Sequence, residues 1–158
     1  MRIRNYNRTL RALAAGAAML VSTAAFAVDT VISKDAPDLT SVRAKIKARD
    51  FAGAITELTP LLATHQHADV YNLLGFSMRK SGDMKQAATF YSKALDFNGE
   101  HKGALEYQGE MFVELGQLDK AKANLAKLAT LCPQGCEERE DLEKAIADAG
   151  AKAAPRTN

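Results

Sequence analysis

The sequence is poor in the residues that most often carry chemistry. It contains two cysteines and three histidines. Two thiols are too few for a structural zinc site, which needs three or four convergent ligands. None of the histidines lies in a nucleophile elbow, a His-Glu-x-x-His helix or a glycine-rich phosphate loop. We therefore predict a protein that is not an enzyme and that carries no cofactor and no metal.

An excess of positive charge is also missing once the N-terminus is set aside. The whole chain has 21 Lys and Arg against 19 Asp and Glu. Four of the arginines and none of the acids lie in residues 1–27, which leaves 17 basic against 19 acidic residues and a net charge of −2. The apparent basicity therefore gives no indication of nucleic-acid binding.

Residues 1–27 have the pattern of a secretory signal peptide. Four arginines accompany an apolar run from Leu10 to Ala27, which ends in the small-x-small pattern Ala25-Phe26-Ala27. An uncleaved anchor is the alternative, but the run is short for a bilayer core of about 30 Å. We expect cleavage after Ala27, a bacterial periplasmic or secreted location, and no membrane span in the mature chain. No cysteine lies near the cleavage point, so the sequence does not indicate a lipoprotein anchor.

The strongest pattern is an internal repeat. Residues 68–101 and 102–135 repeat each other at a spacing of 34 residues, the period of a helical hairpin repeat. The aligned pairs are Gly75 and Gly109, Met78 and Phe112, Gly82 and Gly116, Ala87 and Ala121, Tyr91 and Leu125, and Leu95 and Ala129.

Small residues in both units predict two closely packed antiparallel helices. We expect Gly75 to face Ala87, and Gly109 to face Ala121, so that no branched side chain separates the helix axes. Gly82 and Gly116 follow helical segments, where glycine takes the left-handed conformation that ends a helix.

These residues resemble the tetratricopeptide repeat family. The unit at residues 68–101 matches the family pattern at seven positions, which are Tyr71, Leu74, Gly75, Met78, Ala87, Tyr91 and Ala94. The unit at residues 102–135 departs from it at Gln108 and Leu128 but closes with the expected Pro133. The resemblance implies an all-α solenoid of tandem antiparallel helical hairpins.

We expect about three units, because a shorter stack buries too little core. Residues 38–67 form a degenerate first repeat, in which Arg49-Asp50-Phe51 runs parallel to Gly82-Asp83-Met84. Residues 136–150 form a capping helix with an acidic first turn and an apolar stripe of Leu142, Ala145, Ile146 and Ala149, stopped by Gly150. Residues 28–37 are expected to be flexible, and residues 151–158 to be a disordered tail.

Cys132 and Cys136 lie between the last repeat and the capping helix. In an exported chain, paired cysteines predict a disulfide, here one that fixes the angle of the capping helix. The alternative is a redox switch, although the C-x-x-x-C spacing differs from the C-x-x-C of thiol oxidoreductases. Another alternative is a metal carrier that uses His65, His67 and Asp69, but these residues lie where a polar loop is expected in any case.

The remaining prediction concerns a surface. In the family, the first helix of each unit lines a groove that holds a peptide or a partner helix. The resemblance places eight residues there, which are Asn72, Phe76, Arg79, Lys80, Glu106, Tyr107, Glu110 and Glu114. Phe76 either anchors a partner's apolar side chain or packs against the degenerate repeat at residues 38–67. The three glutamates are spaced as one acidic ridge, or simply as a solvated helix face.

These observations predict a periplasmic adaptor or scaffold that mediates protein–protein interaction through its groove. The partner is expected to be another exported protein, whose peptide segment or helix carries Lys or Arg. The runner-up is a redox-responsive regulator in which opening the Cys132–Cys136 pair releases the capping helix. The sequence indicates neither a nucleic-acid partner nor an oligomeric state.

Overall fold

A computed structural model describes residues 35–153 of the chain. Seven helices and no strand occur in this range. They are α1 (Thr40–Lys47), α2 (Phe51–Leu61), α3 (Ala68–Lys80), α4 (Met84–Phe97), α5 (Lys102–Glu114), α6 (Leu118–Leu131) and α7 (Glu137–Ala153). The predicted signal peptide and most of the segments at 28–37 and 151–158 lie outside the described residues.

The helices form three successive hairpins and a seventh helix. α1 packs on α2, α3 on α4, and α5 on α6, while α2 contacts α3 and α4 contacts α5. α7 packs on both α5 and α6 and so covers the last hairpin. The predicted all-α stack of helical hairpins is confirmed.

The turn within each hairpin ends its first helix in the same way. Gly82 and Gly116 have φ values of 91° and 69°. The N–H of the residue after each glycine donates to the carbonyl five residues earlier, as in Asp83 to Met78 at 2.9 Å, which is a Schellman motif. The first hairpin repeats this geometry with Arg49 at φ 62°. A non-glycine residue in the left-handed region raises the conformational free energy by about 1 kcal/mol. This turn is therefore less stable than the other two.

The two repeat glycines meet different partners from those that the pattern predicts. A Cβ on Gly75 would lie 2.7 Å from the ring of Tyr91, and one on Gly109 would lie 2.5 Å from Cδ2 of Leu142. The side chains nearest to these glycines are therefore Tyr91 and Leu142 and not the alanines Ala87 and Ala121. Large side chains from α4 and α7 fill the space over each glycine, and their reach exceeds that of alanine.

Gln108, where the family pattern expects leucine, is buried in a polar pair. The Asn124 side-chain amide on α6 donates to the Gln108 side-chain oxygen at 3.1 Å and to the Leu105 carbonyl at 3.0 Å. The departure at this position is thus matched by a polar residue on the facing helix, because a buried amide requires a partner.

α7 extends beyond the predicted stop. It runs to Ala153, so Gly150 lies inside the helix, and the prediction that Gly150 ends it was wrong. Within residues 35–153, no neighbouring atom lies within 4 Å of a Cβ placed on Gly150, and the alanine and lysine residues that follow favour helix. Among the described helices, none combines the length and the apolar character needed to cross a bilayer.

Candidate functional site

A groove runs between the first helices of the hairpins and ends at the N-terminus of α7. It contains two adjoining depressions. The apolar pocket, of about 220 Å³, is lined by Arg43, Ile46, Lys47, Leu73, Phe76 and Tyr107. The acidic pocket, of about 280 Å³, is lined by Arg43, Asp69, Asn72, Leu73, His101, Gly103, Glu106, Tyr107, Glu137, Glu138 and Asp141. The two pockets share Arg43, Leu73 and Tyr107, so they form one continuous surface.

Phe76 is half-buried and lines the apolar pocket. Its ring lies 4.8 Å from the ring of Tyr107 and 6.2 Å from that of Phe51, measured between centroids. The Lys80 ammonium lies 5.3 Å from the Phe76 centroid. The two interpretations of Phe76 are therefore not exclusive, since one edge of the ring packs against α2 while the side chain also lines the groove.

Arg79 does not face the groove as an accessible contact. Its side chain is 1% exposed and forms ion pairs with Glu110 and, at 3.5 Å, with Glu114. It also donates to the Tyr107 carbonyl at 3.4 Å. Glu110 and Glu114 thus share one buried guanidinium from α3, so the three glutamates do not form a uniformly solvated ridge along α5.

Glu106, the third ridge residue, is in a different environment. It is 6% exposed, and no described residue forms an ion pair or hydrogen bond with it. Burial, and then the nearby acids Glu110, Asp141 and Glu138, raise the pKa of its carboxyl group to about 8 against the lowering effect of Arg79. This carboxyl group therefore holds its proton at pH values where an exposed glutamate is charged.

The other carboxylates of the acidic pocket fall into two groups. Asp69 accepts from the His101 ring at 2.9 Å, and Glu138 lies 3.9 Å from the Lys102 ammonium. Glu137 and Asp141 have no ion pair within residues 35–153. The pocket therefore keeps an excess of negative charge that its own cations do not balance.

Asn72 adds to the acidic pocket a hydrogen-bond acceptor that has no donor in the described chain. The residue is 5% exposed, and its side-chain oxygen Oδ1 is fully buried without a hydrogen-bond partner. Buried polar atoms in folded proteins almost always have a partner. This oxygen is thus an acceptor that lacks a donor inside the described chain.

Two of the three histidines serve as helix caps. His67 Nδ1 accepts from the Asp69 N–H at 3.2 Å, and His101 Nδ1 accepts from the Ala104 N–H at 3.0 Å. His65 contacts the neighbouring Thr64 hydroxyl. In the described range, no group of three or more His, Cys, Asp or Glu side chains has the arrangement of a metal site.

Sequence reasoning identified four of the fourteen residues that line the two pockets. It placed Asn72, Phe76, Glu106 and Tyr107 in the groove but not Arg43 or Leu73. It also assigned the acids of α7 only to the helix dipole, whereas Glu137, Glu138 and Asp141 line the acidic pocket. No local signal shows this, because the direction in which α7 folds back is set by its packing on α5 and α6.

Cys132 and Cys136 lie at the turn that sets the direction of α7. Their Cα atoms are 6.0 Å apart, a separation that a disulfide can bridge. This places the pair immediately before the three acidic residues that α7 contributes to the groove.

Comparison with known proteins identifies the middle hairpin. Residues 68–101 match the family model of the tetratricopeptide repeat, which agrees with the α3–α4 hairpin. The predicted tetratricopeptide repeat is therefore confirmed at residues 68–101, and this repeat supports a general role in protein–protein interaction. A search of curated proteins found no significant match to the chain.

Proposed function

We propose that this tetratricopeptide-repeat protein is an exported, non-enzymatic adaptor that holds a segment of another protein in its groove. The observation that carries the proposal is the apolar pocket. It offers the rings of Phe76 and Tyr107 beside Ile46 and Leu73, in a depression of about 220 Å³ that is open to a partner. Aromatic side chains in such pockets are frequent anchors of protein interfaces.

Export supports the same view of the partner. The signal-peptide pattern of residues 1–27 directs the mature chain out of the cytoplasm, so its partner is another protein of the same compartment. A bacterial periplasm fits the pattern best. The groove suits an extended peptide or one face of a helix, since both are recognised by projecting side chains into successive pockets.

Replacing Phe76 with alanine tests the adaptor function. We expect Phe76→Ala to weaken partner binding by about tenfold, because it removes the aromatic wall of the apolar pocket. The measurement is affinity capture from an envelope extract, followed by titration of the purified partner. The matched control is Phe97→Ala, which removes an aromatic ring that is 49% exposed on α4 and outside both pockets.

Thermal unfolding of both variants separates a binding defect from unfolding, since Phe76 also packs on Phe51. If folded Phe76→Ala binds the partner as tightly as Phe97→Ala does, the groove is not the binding surface. If no protein is retained by the wild-type chain, the adaptor proposal itself fails.

We also propose that Cys132 and Cys136 form a disulfide that holds α7 in place. The loop that it closes has a sequence separation of 4 residues, so reduction should cost about 2 kcal/mol in the chain-entropy model. Denaturant unfolding with and without a thiol reductant measures this cost. The double variant Cys132→Ser, Cys136→Ser is the control and should not respond to reductant.

The same experiment distinguishes a staple from a switch. A staple loses stability on reduction but keeps its affinity for the partner. A change in affinity on reduction would instead favour the redox-responsive regulator, because α7 forms part of the groove. Two free thiols in protein taken directly from its compartment would refute the disulfide.

A further inference from the structure

We propose that the acidic pocket is a subsite for a lysine or arginine side chain of the segment that the groove binds. The proposal rests on the proposed adaptor function and adds to it the chemistry of the ligand. The subsite is built from Asn72 on α3, Glu106 on α5, and Glu137, Glu138 and Asp141 on α7. It thus joins two repeats to the capping helix.

The charge of the pocket favours a bound cation, because Glu137 and Asp141 are unpaired in the described chain and a cation would also favour ionisation of Glu106. Asp69 and Glu138 have partners within the chain, in His101 and Lys102. Glu106, Glu137 and Asp141 have none in the described part of the chain, and Arg43 is the one arginine or lysine that lines this pocket there. A bound ammonium or guanidinium group would supply positive charge beside these acids, of which Glu106 is buried while Glu137 and Asp141 are exposed.

The unpartnered acceptor points to the same ligand. Asn72 Oδ1 is buried, lacks a donor, and belongs to a residue that lines the pocket. A lysine ammonium has three N–H donors and an arginine guanidinium has five, and neither has an acceptor. Such a group satisfies a carbonyl-type oxygen and carboxylates together, which no anionic or purely apolar ligand does.

The position of the pocket indicates a side chain of a bound segment. It shares Arg43, Leu73 and Tyr107 with the apolar pocket. A segment that places an apolar side chain beside Phe76 therefore carries its neighbouring side chains over the acidic pocket. The motif expected in the partner is a large apolar residue close in sequence to a lysine or arginine.

Selection from a library of random short peptides on the purified protein tests the subsite. We expect the selected peptides to carry an apolar residue near a lysine or arginine. For a selected peptide, replacing the cationic residue by norleucine, which keeps length and removes charge, should weaken binding by about tenfold. Exchange between lysine and arginine then shows which of the two cations the pocket takes.

Paired variants of α7 locate the effect. Glu138→Gln with Asp141→Asn should remove most of the preference for the cationic peptide over its norleucine form. Glu140→Gln with Glu143→Gln makes the same charge change on the same helix outside the pocket and should preserve the preference. Asn72→Leu removes the unpartnered acceptor and should weaken the cationic peptide more than the norleucine peptide.

The outcomes separate the two proposals. Selected peptides without a cation, or a cation preference equal in both double variants, would overturn the subsite and leave the adaptor function standing. A failure to select any peptide that depends on Phe76 would overturn both. A preference lost only with Glu138 and Asp141 supports the subsite.

Discussion

Glu106→Gln is expected to stabilise the protein at alkaline pH and to remove most of its pH dependence between pH 5 and 8. The pKa of Glu106 is about 8 in the folded state, against an ordinary value of 4.5. In that interval the folded chain keeps the proton that the unfolded chain loses. Its stability therefore falls as pH rises, and the loss is complete above the folded-state pKa.

The size of this effect makes it measurable. One unit of pKa corresponds to about 1.4 kcal/mol, and with allowance for partial hydration we expect a loss on the order of 2 to 4 kcal/mol across the interval. The glutamine amide of the variant stays neutral throughout, so the stability of the variant should be nearly flat in pH. Urea unfolding of both proteins at pH 5, 7 and 9 gives the comparison.

The charged groups around Glu106 help to determine that the pKa of its carboxyl group is raised and not lowered. Glu138 and Asp141 on α7, and Glu110 on its own helix, all disfavour the ionised form, whereas Arg79 on α3 favours it. Arg43 on α1 and Asp69 on α3 line the same pocket with opposite charges. Glu143→Gln, at an exposed position of α7, is the control and should keep the wild-type pH dependence. Equal slopes for wild type and Glu106→Gln would show that Glu106 is hydrated and ordinary.

Such a carboxyl group is costly for an isolated domain. Its ionised form is destabilised by burial and by like charges, and the described chain contains no direct partner for it. A bound cation would favour ionisation, so the proposed ligand and a proton compete for the same site. Binding of the cationic peptide is therefore expected to strengthen as pH rises toward 8.

Gly109→Ala and Leu142→Ala are expected to be strongly coupled. Leu142 is fully buried over Gly109, and a Cβ at position 109 would lie 2.5 Å from Leu142 Cδ2. Gly109→Ala alone should cost about 1 to 3 kcal/mol through overpacking. Leu142→Ala alone should cost about 3 kcal/mol through the cavity that it leaves.

The double variant is expected to lose less stability than the sum of the two single variants, because the alanine methyl group at position 109 occupies part of the space vacated by Leu142. A coupling free energy of about 1 kcal/mol or more, measured by denaturant unfolding, supports the contact. Gly150→Ala is the matched control, since nothing lies within 4 Å of that position, and it should be neutral or slightly stabilising. Additive losses would mean that α7 does not pack on α5 through these two residues.

The contact matters for the groove because Leu142 anchors α7. If α7 detaches, Glu137, Glu138 and Asp141 leave the acidic pocket. Leu142→Ala at a temperature where the repeats remain folded should therefore lower the preference for a cationic peptide. The stability of the capping helix and the chemistry of the groove depend on the same buried leucine.

Local features of this protein could be predicted from its sequence. The spacing of 34 residues predicted the hairpins, and Gly82 and Gly116 predicted two turns, because a left-handed residue after a helix strongly favours glycine. Arg49 shows the limit of that rule, since the first hairpin turns in the same way without a glycine. The alignment of Arg49 with Gly82 through the repeat was the one signal for it.

The residues that line the groove could be predicted from the sequence only in part. Asn72, Phe76, Glu106 and Tyr107 lie on the first helices of their hairpins, and the resemblance to the tetratricopeptide repeat family placed them in the groove. The pairing of Arg79 with Glu110 and Glu114, by contrast, joins neighbouring hairpins. The sequence shows these three charges but not which of them neutralise one another.

Short-range patterns in the chain specify the helices, their turns and their order, because those depend on periodicity and on residues with special backbone conformations. Three features emerge only from the packed molecule: α7 turns its acids into the groove, Leu142 lies over Gly109, and Glu106 is buried without a counter-ion from residues 35–153. The physical reason is that burial and electrostatic fields are sums over neighbours from distant parts of the chain. These sums exist only after the helices have packed.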